Sequence, residues 1–223
     1  MPPVILVTPH DHHHCGPAGA GKSTIARLLA ERLGFELLDT GAMYRSVAWS
    51  CLRKNVDMKQ RDEIARVARG VTIRFEDQAV FVNGIDATKQ IRDPDVTTIA
   101  SIVAALPSVR ERLVELQRMA AENRNIVCEG RDQGTVVFPG ADHKFFVTAS
   151  LEARAKRRQA EMAGRENHQS IKETLAQLKQ RDDRDRNRDI APLKPADDAI
   201  EVDTSDLTID QALELVLSHC AKV

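Results

Sequence analysis

Aromatic residues are scarce in this chain of 223 residues: they make up 4%, with a single Trp and a single Tyr. A core of that composition has to be aliphatic. Neither sign of charge is in surplus, since 32 Lys and Arg stand against 33 Asp and Glu. Proteins that live on polyanionic nucleic acid carry a basic excess, so no nucleic-acid partner is expected and any positive charge that matters has to be local. The four cysteines (Cys15, Cys51, Cys128 and Cys220) are scattered, and none forms a Cys-x-x-Cys pair. That argues against a disulfide framework and for free thiols in a reducing compartment, so a cytoplasmic location is expected. Long apolar runs are missing as well. The first apolar stretch, Val4–Val7, is far too short for a signal peptide or a membrane span, so no membrane partner is expected. No heptads are present, which leaves a monomer as the default.

What is there suits an α/β domain: 42% hydrophobic and 29% charged residues. Val4–Thr8 reads as a short strand. From Lys22 to Leu33, Ile25, Leu28, Leu29 and Leu33 fall on one helical face, with Gly34 as the stop. Leu37 and Leu38 read as a buried strand ending at Asp39, residues 42–54 as a helix, and Ile64, Val67 and Ala68 as a short helix ending near Gly70. The period then changes. Val71, Ile73 and Phe75 alternate with polar neighbours, Val80–Val82 follows, and Asn83-Gly84 is a turn signal, which predicts a small antiparallel insert. Helices are expected from Asp93-Pro94, from Pro107 to about Asn123, and over 151–163; strands are expected at Ile126–Cys128, Lys144–Thr148 and Ala199–Val202. Ser170 with Glu173, and Thr208 with Gln211, form capping-box pairs that open two further helices. Strands alternating with helices predict a parallel sheet covered on both faces.

Gly16-Pro17-Ala18-Gly19-Ala20-Gly21-Lys22-Ser23 fits G-x-x-x-x-G-K-[ST] at every position, with a strand before it and a helix at its end. Glycines let successive backbone N–H groups converge on one concavity, and the helix N-terminus adds its positive dipole end. Lys22 is placed to reach the outer phosphates of a nucleotide, Ser23 to offer a hydroxyl to Mg²⁺, and Thr24 to extend the cradle. GTPases and motor ATPases share this loop, but the Asn-Lys-x-Asp string by which GTPases read guanine is absent.

Phosphoryl transfer needs cations around spread negative charge. Two groups of arginines are available. Arg154, Arg157 and Arg158 share a helix face; Arg181, Arg184, Arg186 and Arg188 are interleaved with Asp182, Asp183, Asp185 and Asp189. Arg181, Asp185 and Arg188 line one face of a helix. A solvated surface laced with ion pairs is the alternative reading of such a run.

Four strings together resemble the bacterial cytidylate kinase family over nearly the whole chain. They are the loop at 16–23, Asp-Thr-Gly-Ala-Met-Tyr-Arg at 39–45, Gly-Arg-Asp-Gln-Gly-Thr-Val-Val-Phe-Pro at 130–139, and Arg-Asp-Asp-Arg-Asp-Arg-Asn-Arg at 181–188 with Ala-Pro-Leu at 191–193. The resemblance implies a nucleoside monophosphate kinase fold with a central parallel five-stranded sheet, an antiparallel insert and a helical lid. It implies a single domain with its core at 1–40, 95–150 and 190–223, an acceptor-binding region at about 41–94, and a lid at about 154–167. It implies ATP with Mg²⁺ as phosphoryl donor, CMP and dCMP as acceptors, and a place in pyrimidine nucleotide metabolism. By the same resemblance Arg45, Arg131 and Arg188 clamp the acceptor phosphate, with Thr40 nearby. Arg181 and Asp185 hold the ribose hydroxyls; Ser101, Arg110 and Asp132 read cytosine; Arg154, Arg157 and Arg158 close on the transferring phosphates. Cytosine chemistry agrees: its exocyclic amino group is a donor that suits the Asp132 carboxylate, and its ring nitrogen and carbonyl suit Arg110. A structural carboxylate pinning Arg131 is the alternative for Asp132. Transfer is expected to be direct and in line, because the acceptor phosphate oxygen is already a nucleophile.

Two features depart from the family pattern. Pro9-His10-Asp11-His12-His13-His14-Cys15 is longer than the family's passage from first strand to loop, and reads either as a solvated loop or as a transition-metal site. Gln133 stands where an aliphatic residue is usual after Gly-Arg-Asp. A kinase for UMP or for a non-nucleotide metabolite, and a nucleotide-binding switch without turnover, are the rival functions.

Overall fold

The computed structural model describes residues 4–9, 21–76, 79–162, 170–186 and 195–220, and within these the side chains of 4–9, 161–162, 181 and 184–186 are not described. The chain falls into two compact units, one of residues 1–38 with 121–223 and the other of residues 39–120.

In the first unit five strands form one sheet. β1 (Val4–Pro9) lies at its centre, and the order is β2 (Glu36–Asp39), β6 (Ile126–Glu129), β1, β7 (His143–Thr148), β8 (Ile200–Asp203). β1 runs parallel to β6, with Val7 opposite Glu129, and parallel to β7, with Ile5 opposite His143; β7 runs parallel to β8, with Phe145 opposite Ile200. Continuous apolar runs such as Ile126–Cys128 are what a strand buried on both faces requires. The parallel sheet expected from the sequence is therefore present across β6, β1, β7 and β8, and the bounds of β6, β7 and β8 fall within one residue of the expected strands.

Helices α1 (Lys22–Leu33) and α8 (Ile209–Cys220) bury their apolar stripes in one core with the sheet. Ile25 and Leu29 of α1 meet Leu213 and Val216 of α8 and Val127, Phe145, Val147 and Val202 of the strands. α1 ends where Gly34 takes φ 68°, a left-handed value only glycine adopts without strain, and the Phe35 N–H then closes onto the Ala30 carbonyl at 2.9 Å. Both capping boxes form. The Ser170 N–H donates to the Glu173 carboxylate at 2.8 Å ahead of α7 (Ile171–Arg186), and the Thr208 N–H donates to Gln211 at 2.9 Å ahead of α8.

α6 (Leu151–Met162) packs on α7 through a buried ion pair. Arg154 is 0% exposed; its Nη1 donates to Asp182 Oδ2 at 3.0 Å and its Nε to the Ala149 carbonyl at 3.1 Å. Removing one partner of such a pair leaves a buried charge uncompensated and costs about 3–5 kcal/mol, against about 0–1 kcal/mol for an exposed pair. Asp182→Ala is accordingly expected to lower the urea midpoint markedly, whereas Glu31→Ala, which breaks the exposed Arg27–Glu31 pair, should leave it nearly unchanged. Equal midpoints would show that the Arg154–Asp182 pair carries no stability.

In the second unit α2 (Thr40–Arg53) is the hub, packing on α3 (Arg61–Gly70), α4 (Pro94–Val103), a 3-10 turn at Gln90–Arg92, and β4 (Ala79–Val82). α2 starts two residues before the expected position 42 because Asp39 caps it, accepting the Ala42 N–H at 2.8 Å. The antiparallel insert is present with one strand more than the hairpin expected over 71–84. β3 (Ile73–Glu76) pairs with β4, and β4 with the two-residue β5 (Ile85–Asp86), too short for any period to show. Asn83 and Gly84, at φ 51° and 76°, make the β4–β5 turn. α4 and α5 (Pro107–Ala121) complete this unit, with Val96, Val103, Val109 and Leu113 buried.

Cys51 and Cys128 are buried and Cys220 half-buried, and none of the three is in a disulfide. Burial pushes the Cys51 thiol up to about 11. Cys15 and the rest of the His10–Cys15 segment lie outside the described residues. Among the described residues no cluster of His, Cys, Asp or Glu could hold a metal ion, and no helix is long and apolar enough to cross a membrane.

Candidate functional site

In the first unit, the end of the glycine-rich loop feeds directly into α1. Gly16–Ala20 lie outside the described residues; Gly21 stands at the helix N-cap with φ 81°, and its carbonyl accepts the Ile25 N–H at 2.8 Å. A side chain at that φ would be strained, which accounts for glycine at the sixth motif position. Lys22, the first residue of α1, is buried, while Ser23 and Thr24 are exposed on the first turn.

The Ser23 hydroxyl donates to Glu129 Oε2 at 2.7 Å. Glu129 is the last residue of β6 and is itself buried, beside the end of β1 that leads into the loop. Sequence reading did not single it out. An acidic residue closing the run Ile-Val-Cys was visible, but only the strand order β6-β1 brings it to the loop's hydroxyl. A hydroxyl and a carboxylate are hard oxygen donors of the kind Mg²⁺ takes, so the residues present fit that ion.

The strand then turns into the second motif. Asp132 is 4% exposed, and its carbonyl accepts the N–H groups of Val136 at 2.9 Å and Val137 at 3.3 Å. The residues Gln133–Val137 form a π turn, closed by the Phe138 N–H on the Gln133 carbonyl at 2.7 Å. Short π segments of this kind are rare and recur at functional sites. Arg131, between Glu129 and Asp132, is partly exposed.

The first arginine group divides. Arg154 sits in the interior on Asp182, which departs from the expectation that it faces the phosphates. Arg157 is partly buried and donates through Nη1 to Thr204 Oγ1 at 3.1 Å and through Nη2 to the Thr204 carbonyl, tying α6 to the turn after β8. Arg158 is exposed. Residues three and four apart do share one side of a helix, but that side spans about 100°. Arg154, in the middle of it, points at α7, leaving Arg158 toward solvent. Arg181 and Asp185 lie on the last turns of α7, their side chains outside the described residues, as is Arg188 entirely.

In the second unit, Thr40, Arg45, Ser101 and Arg110 take their places on three helices. Thr40 is buried in the first turn of α2. Arg45 Nη2 donates to Asp39 Oδ2 at 3.0 Å, so one carboxylate both caps α2 and orients the guanidinium. Gly41 allows this approach: a Cβ there would lie 2.8 Å from Arg45 Nη1 and 3.2 Å from Asp39 Oδ1. Arg110, on α5, is 4% exposed with its guanidinium carbon 5.9 Å from the Tyr44 ring centroid. Ser101 is partly exposed on α4. The spacing Asp39-Gly41-Tyr44-Arg45 is thus a local device on one helix start.

Comparison with known proteins agrees with these motifs. The family model described as cytidylate kinase matches residues 15–222. The cytidylate kinase of Desulfitobacterium hafniense is 48% identical over 206 residues, spanning 91% of this chain and 89% of that protein. That of Caldanaerobacter subterraneus is 45% identical over 207 residues, spanning 93% and 92%, and cytidylate kinase 1 of Haemophilus influenzae is 42% identical over 208 residues, spanning 92% and 90%. The crystal structure of an uncharacterized protein from Eubacterium ventriosum shares the fold, with a TM-score of 0.50 at 15% identity over 99% of each chain. With its family match over 15–222 and its relatives alike along nearly their full lengths, this chain belongs to the cytidylate kinase family.

Proposed function

We propose that the chain transfers the terminal phosphoryl group of ATP to CMP, and to dCMP, giving CDP or dCDP and ADP. The observation that carries a phosphoryl-transfer reading is the 2.7 Å bond between Ser23 and Glu129 beside Lys22 at the start of α1. It joins a hydroxyl and a carboxylate at the N-terminus of a helix that opens on a lysine, a set suited to ATP with its metal. Mg²⁺, when bound with ATP, neutralises charge on the outer phosphates; Ser23 and Glu129 would hold it.

On the acceptor side, Arg45, Arg131 and Arg188 bind the CMP phosphate, with Thr40 beside it. Ser101, Arg110 and Asp132 read the base, and Arg181 with Asp185 the ribose. Lys22 and the backbone of 16–24 cradle the donor phosphates. Arg157 and Arg158 approach them from α6 within the lid, and Arg154 acts through α6 by holding it on α7. No nucleophilic side chain is needed, since the CMP phosphate oxygen attacks the terminal phosphorus in line and ADP leaves. The protein is proposed to act as a monomer in the cytoplasm, in pyrimidine nucleotide metabolism.

Glu129→Gln tests the donor side. The amide keeps an oxygen for the Ser23 hydroxyl but loses the charge. Mg²⁺ dependence of turnover should shift about 10–100-fold toward higher concentration, with the thermal midpoint little changed. An unaltered Mg²⁺ titration would remove Glu129 from the site.

A further inference from the structure

We propose that Gln133 is a positioning residue for Asp132, holding the base-reading turn in place through its side-chain hydrogen bond with Cys128. The inference rests on Asp132 reading cytosine as set out above, and adds what keeps it there. Gln133 is 1% exposed and Cys128 0%. The Cys128 thiol donates to Gln133 Oε1 at 3.1 Å, from the interior of β6 to the first residue of the π turn. A buried amide must have its polar atoms satisfied, so the tie selects one orientation of Gln133. Because Gln133 follows Asp132 directly, and the Asp132 carbonyl already anchors the amides of Val136 and Val137, that orientation fixes the peptide that leaves the Asp132 Cα. β6 also carries Glu129 one residue beyond Cys128, so the turn that holds Asp132 is referenced to the strand that meets Ser23. A Leu or Met at 133 could fill the same space, but could not be aimed by a hydrogen bond.

The test uses the full chain and four variants: Gln133→Met and Cys128→Val, which remove the tie from either end at similar volume; their double variant; and Cys128→Ser, which keeps a donor. Each single loss should raise KM for CMP about fivefold and lower the CMP-to-UMP preference by a similar factor. In both, kcat at saturating CMP and KM for ATP should hold within about twofold. The double variant should resemble Gln133→Met rather than the product of the two, since Cys128→Val takes away a bond that Gln133→Met has already removed. Cys128→Ser should retain most of the CMP affinity.

Four results would overturn the proposal: an unchanged CMP KM in Cys128→Val, multiplied effects in the double variant, equal losses in Cys128→Ser and Cys128→Val, or parallel losses in the ATP and CMP parameters with a lowered melting temperature. Failure of the CMP reading itself is distinguishable, because it appears as an absence of CDP from the unsubstituted chain.

Discussion

Lys22→Ala is expected to reduce turnover by about 10²–10³-fold or more while leaving the protein folded. The residue is the first of α1, immediately after the left-handed Gly21. A cation is disfavoured at the positive end of a helix dipole, and Ala has the higher helix propensity. Neither helix propensity nor the helix dipole therefore favours lysine at this point, and replacing it should not weaken α1. The role proposed for its charge is at the donor phosphates, where it would gain as negative charge moves onto the leaving oxygen. The measurement is kcat beside a thermal melt: a large loss of rate with an unchanged midpoint is the expected pair. A lowered midpoint with proportionate activity loss would make Lys22 a structural residue.

Asp132→Ala should separate the two pyrimidines. The carboxylate belongs to a residue 4% exposed, on a backbone tied down by two N–H donors and by the π turn that follows. Loss of a charge-assisted hydrogen bond of about 1.5–3 kcal/mol from the cytosine amino group corresponds to a fall of about 10–100-fold in kcat/KM for CMP. On the proposed reading UMP would offer a carbonyl at the same point and be repelled by the native carboxylate, so its kcat/KM should hold or rise. Equal losses for both would instead assign Asp132 to holding Arg131.

Much of this molecule could be read from spacing alone, where the signal is local. The α1 stripe and its Gly34 stop, the two capping boxes, and Pro94 at a helix start all depend on residues within a few positions of one another, and they recur in the structure. The start of α2 is not legible in the sequence, because Asp39 both ends β2 and caps the helix that follows, its carboxylate accepting the Ala42 N–H. Longer-range facts were not legible. Glu129 becomes part of the site only through the crossover that sets β6 beside β1, 106 residues from Ser23. The run of Arg and Asp at 181–189 looked the same residue by residue as a solvated face, and only burial distinguishes Asp182, which pairs inside with Arg154. α4 and α5 group with residues 39–120 because α4 packs on α2, a choice that helix periodicity cannot express. Gln133 was visible as a departure, but its partner Cys128 was not.

The most direct measurement is product formation by the purified chain supplied with Mg²⁺, ATP and one acceptor at a time from CMP, dCMP, UMP, AMP and shikimate. CDP and ADP should appear in equal amounts with CMP, dCDP and ADP with dCMP, and far less product with the others. ATP binding without any diphosphate product, or faster turnover of UMP, AMP or shikimate, would contradict a kinase built to phosphorylate cytidine monophosphates.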